Sequence, residues 1–241
     1  MEERMIDKTE ITEEQGNTLP IRVEILSEDR SGGVVLERLT RCILREYTSR
    51  FSCYLRPHRG CGYWPSDPTA KPEPLAAGLL ELLPAKLRAY DKVYAGTQTI
   101  VIVCIDSDDK DPAELLSKLK ATCRQFGPGI RTVIAISVEE MESWMLADRN
   151  AILLAYPDAD MERWEQYEQD SVCGTWEVLC DVLLQEHSAR IKRIGYPAIG
   201  QYKATWAEKI SKYMLPSNNR SPSFKQYELA LSGAVKKMVA E

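Results

Sequence analysis

An apolar run of β-branched residues that leads directly into carboxylates is the feature of this chain that most restricts its fold. Residues 99–105 read Thr-Ile-Val-Ile-Val-Cys-Ile, and Asp106-Ser107-Asp108-Asp109 follow at once. Such a run is typical of a strand buried on both faces, as in a parallel sheet covered by helices. In open sheets of this kind, ligands bind at the carboxyl ends of the strands. The run therefore predicts an α/β fold with acidic residues at its ligand-binding edge.

Strands and helices alternate through the first part of the chain, which is typical of a mostly parallel sheet flanked by helices. Strands are predicted at 21–27, 52–56, 99–105 and 132–136. Helices are predicted at 32–47, at 75–90 with an interruption near Pro84, and from Asp111-Pro112 onward. Beyond about residue 150 the pattern is mainly helical, with helices predicted at 149–156, 175–187, 204–214 and 223–238.

The pattern divides the chain into three predicted regions. Residues 1–18 are predicted to be a charged, mobile N-terminal arm, 19–150 an α/β domain, and 151–241 a helical extension packed on that domain. Hydrophobic residues make up 44% and charged residues 28%, as in ordinary soluble globular proteins. No apolar run approaches the roughly 20 residues that span a bilayer, and the first residues are too acidic for a signal peptide. We therefore expect a cytoplasmic protein without membrane association.

Two further composition features restrict the function. The seven cysteines are scattered without a Cys-x-x-Cys pair, so we expect them to be reduced and a zinc site to be absent. The net charge of -5 gives no general attraction for nucleic acid, so any such binding must use a local basic patch.

Carboxylates follow two strands of the predicted sheet. Glu28 comes directly after the first strand, and Asp106 and Asp108 form a D-x-D after the third. Because the carboxyl ends of parallel strands meet at one edge, these groups would repel one another unless a hard cation such as Mg²⁺ or Mn²⁺ neutralised them. A cation at this edge suits phosphoryl chemistry. Aspartates after strands also form turns and cap helices, so the D-x-D alone leaves both interpretations open.

A third acidic cluster, Glu139, Glu140 and Glu142, follows the fourth strand. Glutamates in a first helical turn are favoured by the helix dipole, so capping is the default interpretation of each. The repetition at a third strand end nevertheless favours a shared acidic pocket. Glu140 and Glu142 are therefore additional candidate metal ligands.

Several cations are candidates for contacting a substrate phosphate. Arg56 and Arg59 stand near Trp64 after the second strand, a mixture of cations and aromatics that suits phosphates and bases. Lys203 and Arg220 are further candidates in the helical part. The alternatives are a loop packed by Trp64 with solvated arginines, packing for Lys203, and a plain helix cap beside Arg220.

The glutamate after the first strand and the D-x-D after the third resemble the TOPRIM family, the domain shared by topoisomerases, primases and overcoming-lysogenization-defect nucleases. Glu28, Asp106 and Asp108 stand at the matching positions, while Asp29 replaces the glycine that usually follows the glutamate. The chain resembles more narrowly a small stand-alone bacterial branch of these proteins. That branch carries an E-x-E-a-W segment, matched by residues 140–144, and an N-R-S-P-S-F segment, matched by residues 219–224.

The resemblance implies a TOPRIM-like, Rossmann-like fold and Mg²⁺- or Mn²⁺-dependent hydrolysis of phosphodiester bonds in DNA or RNA. It gives Glu28 the role of general base or acid, and Asp106 and Asp108 the role of metal ligands. Such proteins are often encoded beside an ATPase of the ABC or AAA type, in settings suggestive of phage defence. The resemblance therefore also implies an ATPase partner.

Two other functions stay open on the sequence. The leading interpretation is the nuclease, and the alternative is a non-catalytic TOPRIM-fold subunit that binds or regulates such an ATPase. A phosphatase of the haloacid-dehalogenase kind also uses D-x-D after a strand, but it needs Thr or Val where this chain has Lys110. Its aspartates also usually follow the first strand, so this alternative is disfavoured.

Overall fold

One parallel sheet organises the described part of the chain. The structure is a computed structural model that describes residues 19–73, 75–195 and 198–240, so the predicted N-terminal arm at 1–18 lies outside the described residues. The sheet has four strands, all parallel: β1 (Ile21–Ser27), β2 (Phe51–Pro57), β3 (Thr99–Asp106) and β4 (Arg131–Ser137). The predicted α/β class and each of the four predicted strands are thereby confirmed.

The strand order is β2-β1-β3-β4, which creates a switch point in the sheet. From β1 the chain moves outward to β2, then crosses back to place β3 on the other side of β1. A crevice opens beyond the carboxyl ends of two strands where the direction of progression reverses in this way. Ser27 at the end of β1 is in register with Cys104 of β3, so Glu28 and Asp106 both flank this crevice.

Helices cover both faces of the sheet. Helix α1 (Arg30–Arg45) packs on one face, and helices α2 (Leu79–Tyr94) and α3 (Pro112–Phe126) pack on the other. Alternate residues of the strands supply the two cores: Ile102 of β3 belongs to the α1 side and Val103 to the α2–α3 side. This burial on both faces explains why the strand sequences are continuously apolar.

The C-terminal part is helical, as predicted, and it shares its core with the sheet. Trp144, Trp206 and Leu231 belong to the same buried cluster as Val23 of β1. Within the described residues no helix is both long and apolar enough to cross a membrane. The helices are α4 (Glu142–Leu146), α5 (Arg149–Ala155), α6 (Met161–Glu165), α7 (Thr175–Leu184), α8 (Ser188–Ile191), α9 (Ala198–Ile210) and α10 (Pro222–Ala240), with a 3-10 turn at Gln185–His187.

The predicted helix at 75–90 differs from the observed one in its limits and its continuity. Helix α2 begins at Leu79, where the Glu81 carboxylate accepts a hydrogen bond of 2.9 Å from the Gly78 N–H, and it continues through Pro84. An internal proline costs a helix about 3 kcal/mol. Pro84 is itself buried beside Leu83 and Leu87, and burial of that apolar face offsets the cost.

Candidate functional site

Glu28 lies directly after β1, at the switch point of the sheet. Its Oε2 atom is buried and has no hydrogen-bond partner among the described residues. Burial raises the pKa of Glu28 to about 7, the charge of Asp108 adds to the shift, and a hydrogen bond from the Asp106 backbone opposes it. A carboxyl group in this state exchanges protons near neutral pH and gains from a neighbouring cation.

The turn after Glu28 is fixed by the start of α1. The Asp29 carboxylate caps this helix by accepting a hydrogen bond of 2.8 Å from the Gly32 N–H. A Cβ atom at Gly33 would lie 2.6 Å from both Ser27 Oγ and Leu55 Cδ1, so only glycine permits this close packing. Asp29 therefore acts as the cap of α1.

Asp106 is the last residue of β3 and faces the same crevice. Its Oδ1 atom accepts a hydrogen bond from the Ser137 hydroxyl, which stands opposite it in the register of β3 and β4. Burial raises the pKa of Asp106 well above its usual range, the charge of Glu28 adds to the shift, and the bond from Ser137 opposes it. The charge of Glu28 thus disfavours a second negative charge on Asp106.

The other two residues of the D-x-D have different surroundings: Ser107 is buried and joins two strand ends, and Asp108 is exposed. Ser107 is fully buried, and its hydroxyl accepts a hydrogen bond of 2.9 Å from the Glu139 N–H, which joins the ends of β3 and β4. Asp108 has a left-handed backbone with φ of 49° and half of its side chain is exposed. Its carboxylate lies 3.1 Å from Lys110 Nζ. Asp108 therefore stands at the mouth of the crevice.

Glu139 caps helix α7. Its carboxylate accepts hydrogen bonds of 2.8 and 2.9 Å from the Gly174 and Thr175 N–H groups. Burial alone would raise the pKa of Glu139, but the bonds from Thr175, Gly174 and Cys173 outweigh it and lower the pKa. This residue has the capping role that the sequence gives as the default, although the helix it caps lies far along the chain.

Glu140 and Glu142 hold Lys203 between them. The Nζ atom of Lys203 lies 3.0 Å from Glu140 Oε1 and 3.4 Å from Glu142 Oε1. Glu142 is only 2% exposed; burial raises its pKa to about 7, against the charge of Lys203. Burial also lowers the pKa of Lys203, but Glu142, Glu140 and Asp106 outweigh it and raise it above its usual value. Lys203 thus serves as the shared counterion of Glu140 and Glu142 beside Asp106.

The three other candidate phosphate contacts lie in different surroundings. Arg56 is engaged by Glu24 of β1, since its Nε atom lies 2.9 Å from Glu24 Oε2. Arg59 is exposed in the loop whose next residue, Gly60, donates a backbone hydrogen bond of 3.0 Å to the Glu28 carbonyl. Arg220 is exposed before α10. Of the four candidates, Lys203 is the one whose charge acts on Asp106, while Arg59 adjoins Gly60, which contacts the Glu28 backbone.

The two sequence segments at 140–144 and 219–224 pack against each other. The Asn219 side-chain amide donates a hydrogen bond of 2.8 Å to the Trp144 carbonyl, and the Trp144 indole N–H donates one of 2.9 Å to Ser223 Oγ. Ser221 Oγ accepts a hydrogen bond of 3.1 Å from the Phe224 N–H and so caps α10. The serines beside Arg220 are thus engaged within the protein, and the segment supports the turn that carries Glu140 and Glu142.

Two residues near the carboxylates were missed from the sequence. Ser137 follows from the register of β4, which a sequence without structure does not fix. Cys61 lies in the loop after β2. Burial raises the pKa of its thiol to about 11, and the charges of Glu28 and Asp108 add to the shift. The signal for Cys61 was its position in a glycine-rich turn, Gly60-Cys61-Gly62, whose path the spacing does not determine.

The carboxylates of the crevice are of the right chemical type to bind a divalent cation, but within the described residues their arrangement does not form a metal site. Carboxylate oxygens are the ligands that Mg²⁺ and Mn²⁺ prefer, and the Oε2 atom of Glu28, which has no hydrogen-bond partner among the described residues, could serve as a metal ligand. Over 19–73, 75–195 and 198–240, however, no three His, Cys, Asp or Glu side chains are gathered closely enough to hold a metal ion. Asp108, whose charge acts most strongly on Glu28 among these residues, is half exposed and already paired with Lys110.

Comparison of this chain with protein-family models, with curated proteins and with solved structures found no match.

Replacing Glu28 with glutamine should stabilise the protein at pH 8. The pKa of this carboxyl is about 7 when folded and about 4.3 when unfolded, so the folded state binds the extra proton. Its contribution to stability is present below about pH 4.3 and is lost as the pH rises through 7. We expect Glu28→Gln to raise the free energy of unfolding in urea by about 1–3 kcal/mol at pH 8, and by much less at pH 4.5.

The matched control is Asp109→Asn, which removes an exposed carboxylate from the same edge and should change stability little at either pH. Equal stability of Glu28→Gln and the parent protein at pH 8 would show that Glu28 is not strained by burial.

Proposed function

We propose that this protein is a metal-dependent nuclease with a TOPRIM-like fold that hydrolyses phosphodiester bonds in DNA or RNA. The observation that carries the proposal is the state of Glu28: a half-buried carboxyl at the switch point whose Oε2 atom is buried without a hydrogen-bond partner among the described residues, with its pKa raised to about 7. A structural carboxylate is normally paired or solvated, whereas a catalytic acid or base has a pKa near the working pH.

Each residue is assigned a role within this proposal. Glu28 takes a proton from the attacking water or gives one to the leaving oxygen. Asp106 and Asp108 hold Mg²⁺ or Mn²⁺, with Glu140 and Glu142 as further candidate ligands. The cation, when bound, would neutralise phosphate charge and lower the pKa of the attacking water. Lys203 would supply positive charge beside Asp106, and Arg59, exposed in the loop after β2, is the proposed contact of a phosphate outside the crevice.

We further propose that activity depends on a partner ATPase, in the setting of a phage-defence system. The net charge of -5 disfavours tight independent binding of nucleic acid. Two cations beside the carboxylates are engaged within the chain: Lys203 by Glu140 and Glu142, and Lys110 by Asp108. A partner that contributes its own basic surface would supply what this chain lacks.

The second candidate is a non-catalytic subunit that binds or regulates such an ATPase. It is favoured by one observation: among the residues that the structure describes, no three potential ligands are gathered for a metal ion, while Lys203 already neutralises Glu140 and Glu142. In this alternative the acidic crevice has only an internal counterion.

A cleavage assay distinguishes the two candidates. Plasmid DNA, single-stranded DNA and tRNA are incubated with the purified protein in Mg²⁺ or Mn²⁺, beside Glu28→Gln and the control Asp109→Asn. A nuclease should cleave only with metal, should lose at least about 100-fold in rate in Glu28→Gln, and should be unchanged in Asp109→Asn. If no substrate is cleaved with or without the partner ATPase, and Mg²⁺ does not bind in calorimetry, the non-catalytic alternative is correct.

A further inference from the structure

A groove runs along the outer edge of β4, separate from the acidic crevice. We call it the β4 groove; its volume is about 1060 Å³. Its floor is β4. Val133 and Ile134 point to opposite faces of the sheet, yet both of them line the groove. Helix α3 forms one wall and helix α10 the other. The groove therefore follows the strand edge itself and not one face of the sheet.

The strand at the floor, β4, is an edge strand of the sheet, and α10 packs along it. Among the described residues β4 pairs with β3 alone, so its outer backbone groups have no strand partner. After Arg131, residues 132–138 carry no charge and no proline, whereas the opposite edge strand β2 contains Arg56 and ends in Pro57. Proteins normally guard such edges with charges, prolines or bulges, because a bare edge recruits another strand.

The walls leave room for another backbone to approach. On the α10 side the lining includes the small residues Ala230, Gly233 and Ala234, and a Cβ atom built at Gly233 meets nothing within 4 Å. Leu229 is 74% exposed on the same helix, and Leu116 of α3 is half-buried opposite it. The groove thus combines an open strand edge with apolar side chains above it.

The charges of the groove select an acidic occupant. Lys120 and Arg124 of α3 and Lys237 of α10 are exposed, and none has an ion pair within the described ranges. The two carboxylates of the lining are engaged internally: Asp111 caps α3, and Asp170 accepts hydrogen bonds from Ser221 and from the Ser223 N–H. The field in the groove is therefore positive.

We propose that the β4 groove binds an extended acidic segment of a partner protein, which pairs with β4 as a fifth strand. Backbone hydrogen bonds to β4 would supply affinity, and acidic side chains facing the two helices would supply selectivity. A nucleic acid is disfavoured because the lining offers no exposed aromatic ring, Tyr227 being only 1% exposed. A second copy is disfavoured because the cations of two grooves would face each other. This site is independent of the proposed nuclease chemistry.

The test uses the full chain and a labelled octapeptide, Thr-Glu-Val-Glu-Val-Glu-Val-Thr, with fluorescence anisotropy as the readout. The acidic peptide should bind, and the same peptide with lysine in place of glutamate should not. Methylation of alternate backbone nitrogens should abolish binding, because it removes the donors of a strand pair. Lys120→Glu/Lys237→Glu should weaken binding at least about tenfold.

The matched control is Lys118→Glu/Lys236→Glu, which makes the same charge change on the same two helices. These lysines lie outside the groove, over the rings of Trp64 and Tyr47 respectively, and the variant should bind the acidic peptide normally. Equal weakening of peptide binding in both double variants would show that the net charge of the protein, and not the groove, determines binding, and would overturn the proposal. Absence of peptide binding would also overturn it.

Three other occupants are outcomes of the same experiment, and each overturns the proposal. Displacement of the peptide by a single-stranded 12-mer would assign the groove to nucleic acid. A dimer in sedimentation that Ile134→Lys dissociates would assign it to a second copy. A gain of more than tenfold in peptide affinity on Glu10→Lys/Glu13→Lys/Glu14→Lys would assign it to the acidic N-terminal residues of the chain itself.

Discussion

Replacing Lys203 with methionine should lower the free energy of unfolding by about 3–5 kcal/mol at pH 8, measured in urea. The substitution keeps an apolar stem of similar length but removes the charge that lies 3.0 and 3.4 Å from Glu140 and Glu142. Two carboxylates would then stand together in a buried site without a counterion. Removal of one member of a buried charge cluster is costly for this reason.

The loss should be smaller at pH 5. Burial already raises the pKa of Glu142 to about 7 with Lys203 present, and removal of the lysine raises it further. The variant can therefore take up a proton on Glu142 at low pH, and its stability falls as the pH rises through 7. The double variant Lys203→Met/Glu142→Gln should recover most of the stability at pH 8.

Lys209→Met is the control, since Lys209 is an exposed lysine on the same helix. It should cost less than about 1 kcal/mol. A comparable small loss in Lys203→Met would show that the lysine is solvated in solution. Lys203 would then not be the buried counterion of Glu140 and Glu142.

The sheet could be predicted because its signal is local. Four apolar runs bounded by turn residues gave all four strands to within one residue at either end, and Asp111-Pro112 gave the start of α3. Glu28 and Asp106 were placed at one edge by a general property of parallel strands, that their carboxyl ends coincide. Neither inference needed a contact between distant residues.

The rest of the site depends on contacts across long stretches of chain. Lys203 reaches Glu140 from 63 residues away, and Glu139 caps a helix that starts 36 residues later. Periodicity places each of these residues on an element but says nothing about which elements meet. The interruption predicted near Pro84 was wrong for a related reason. Burial of the apolar face of α2 outweighed the local tendency of proline to break a helix.

Trp144 links the acidic cluster to the C-terminal helices, and Trp144→Ala should cost about 3–5 kcal/mol of unfolding free energy. The side chain is fully buried, stacked on Tyr227 with ring centroids 5.7 Å apart and edge-on to Phe224 at 5.3 Å. Its indole N–H donates to Ser223 Oγ. Truncation removes these contacts and leaves a cavity beneath the turn that carries Glu142.

Trp144→Phe is the matched variant, because it keeps a ring in the core and loses the indole hydrogen bond. Ser223 Oγ retains its bond of 2.9 Å with Ser221, so this variant should cost only about 1–2 kcal/mol. Both variants should unfold in one transition by circular dichroism and by tryptophan fluorescence, because Trp144 and the sheet share one buried cluster. Two separate transitions in Trp144→Ala would instead mean that the helical part unfolds on its own, and the boundary predicted near residue 150 would then divide two independent folding units.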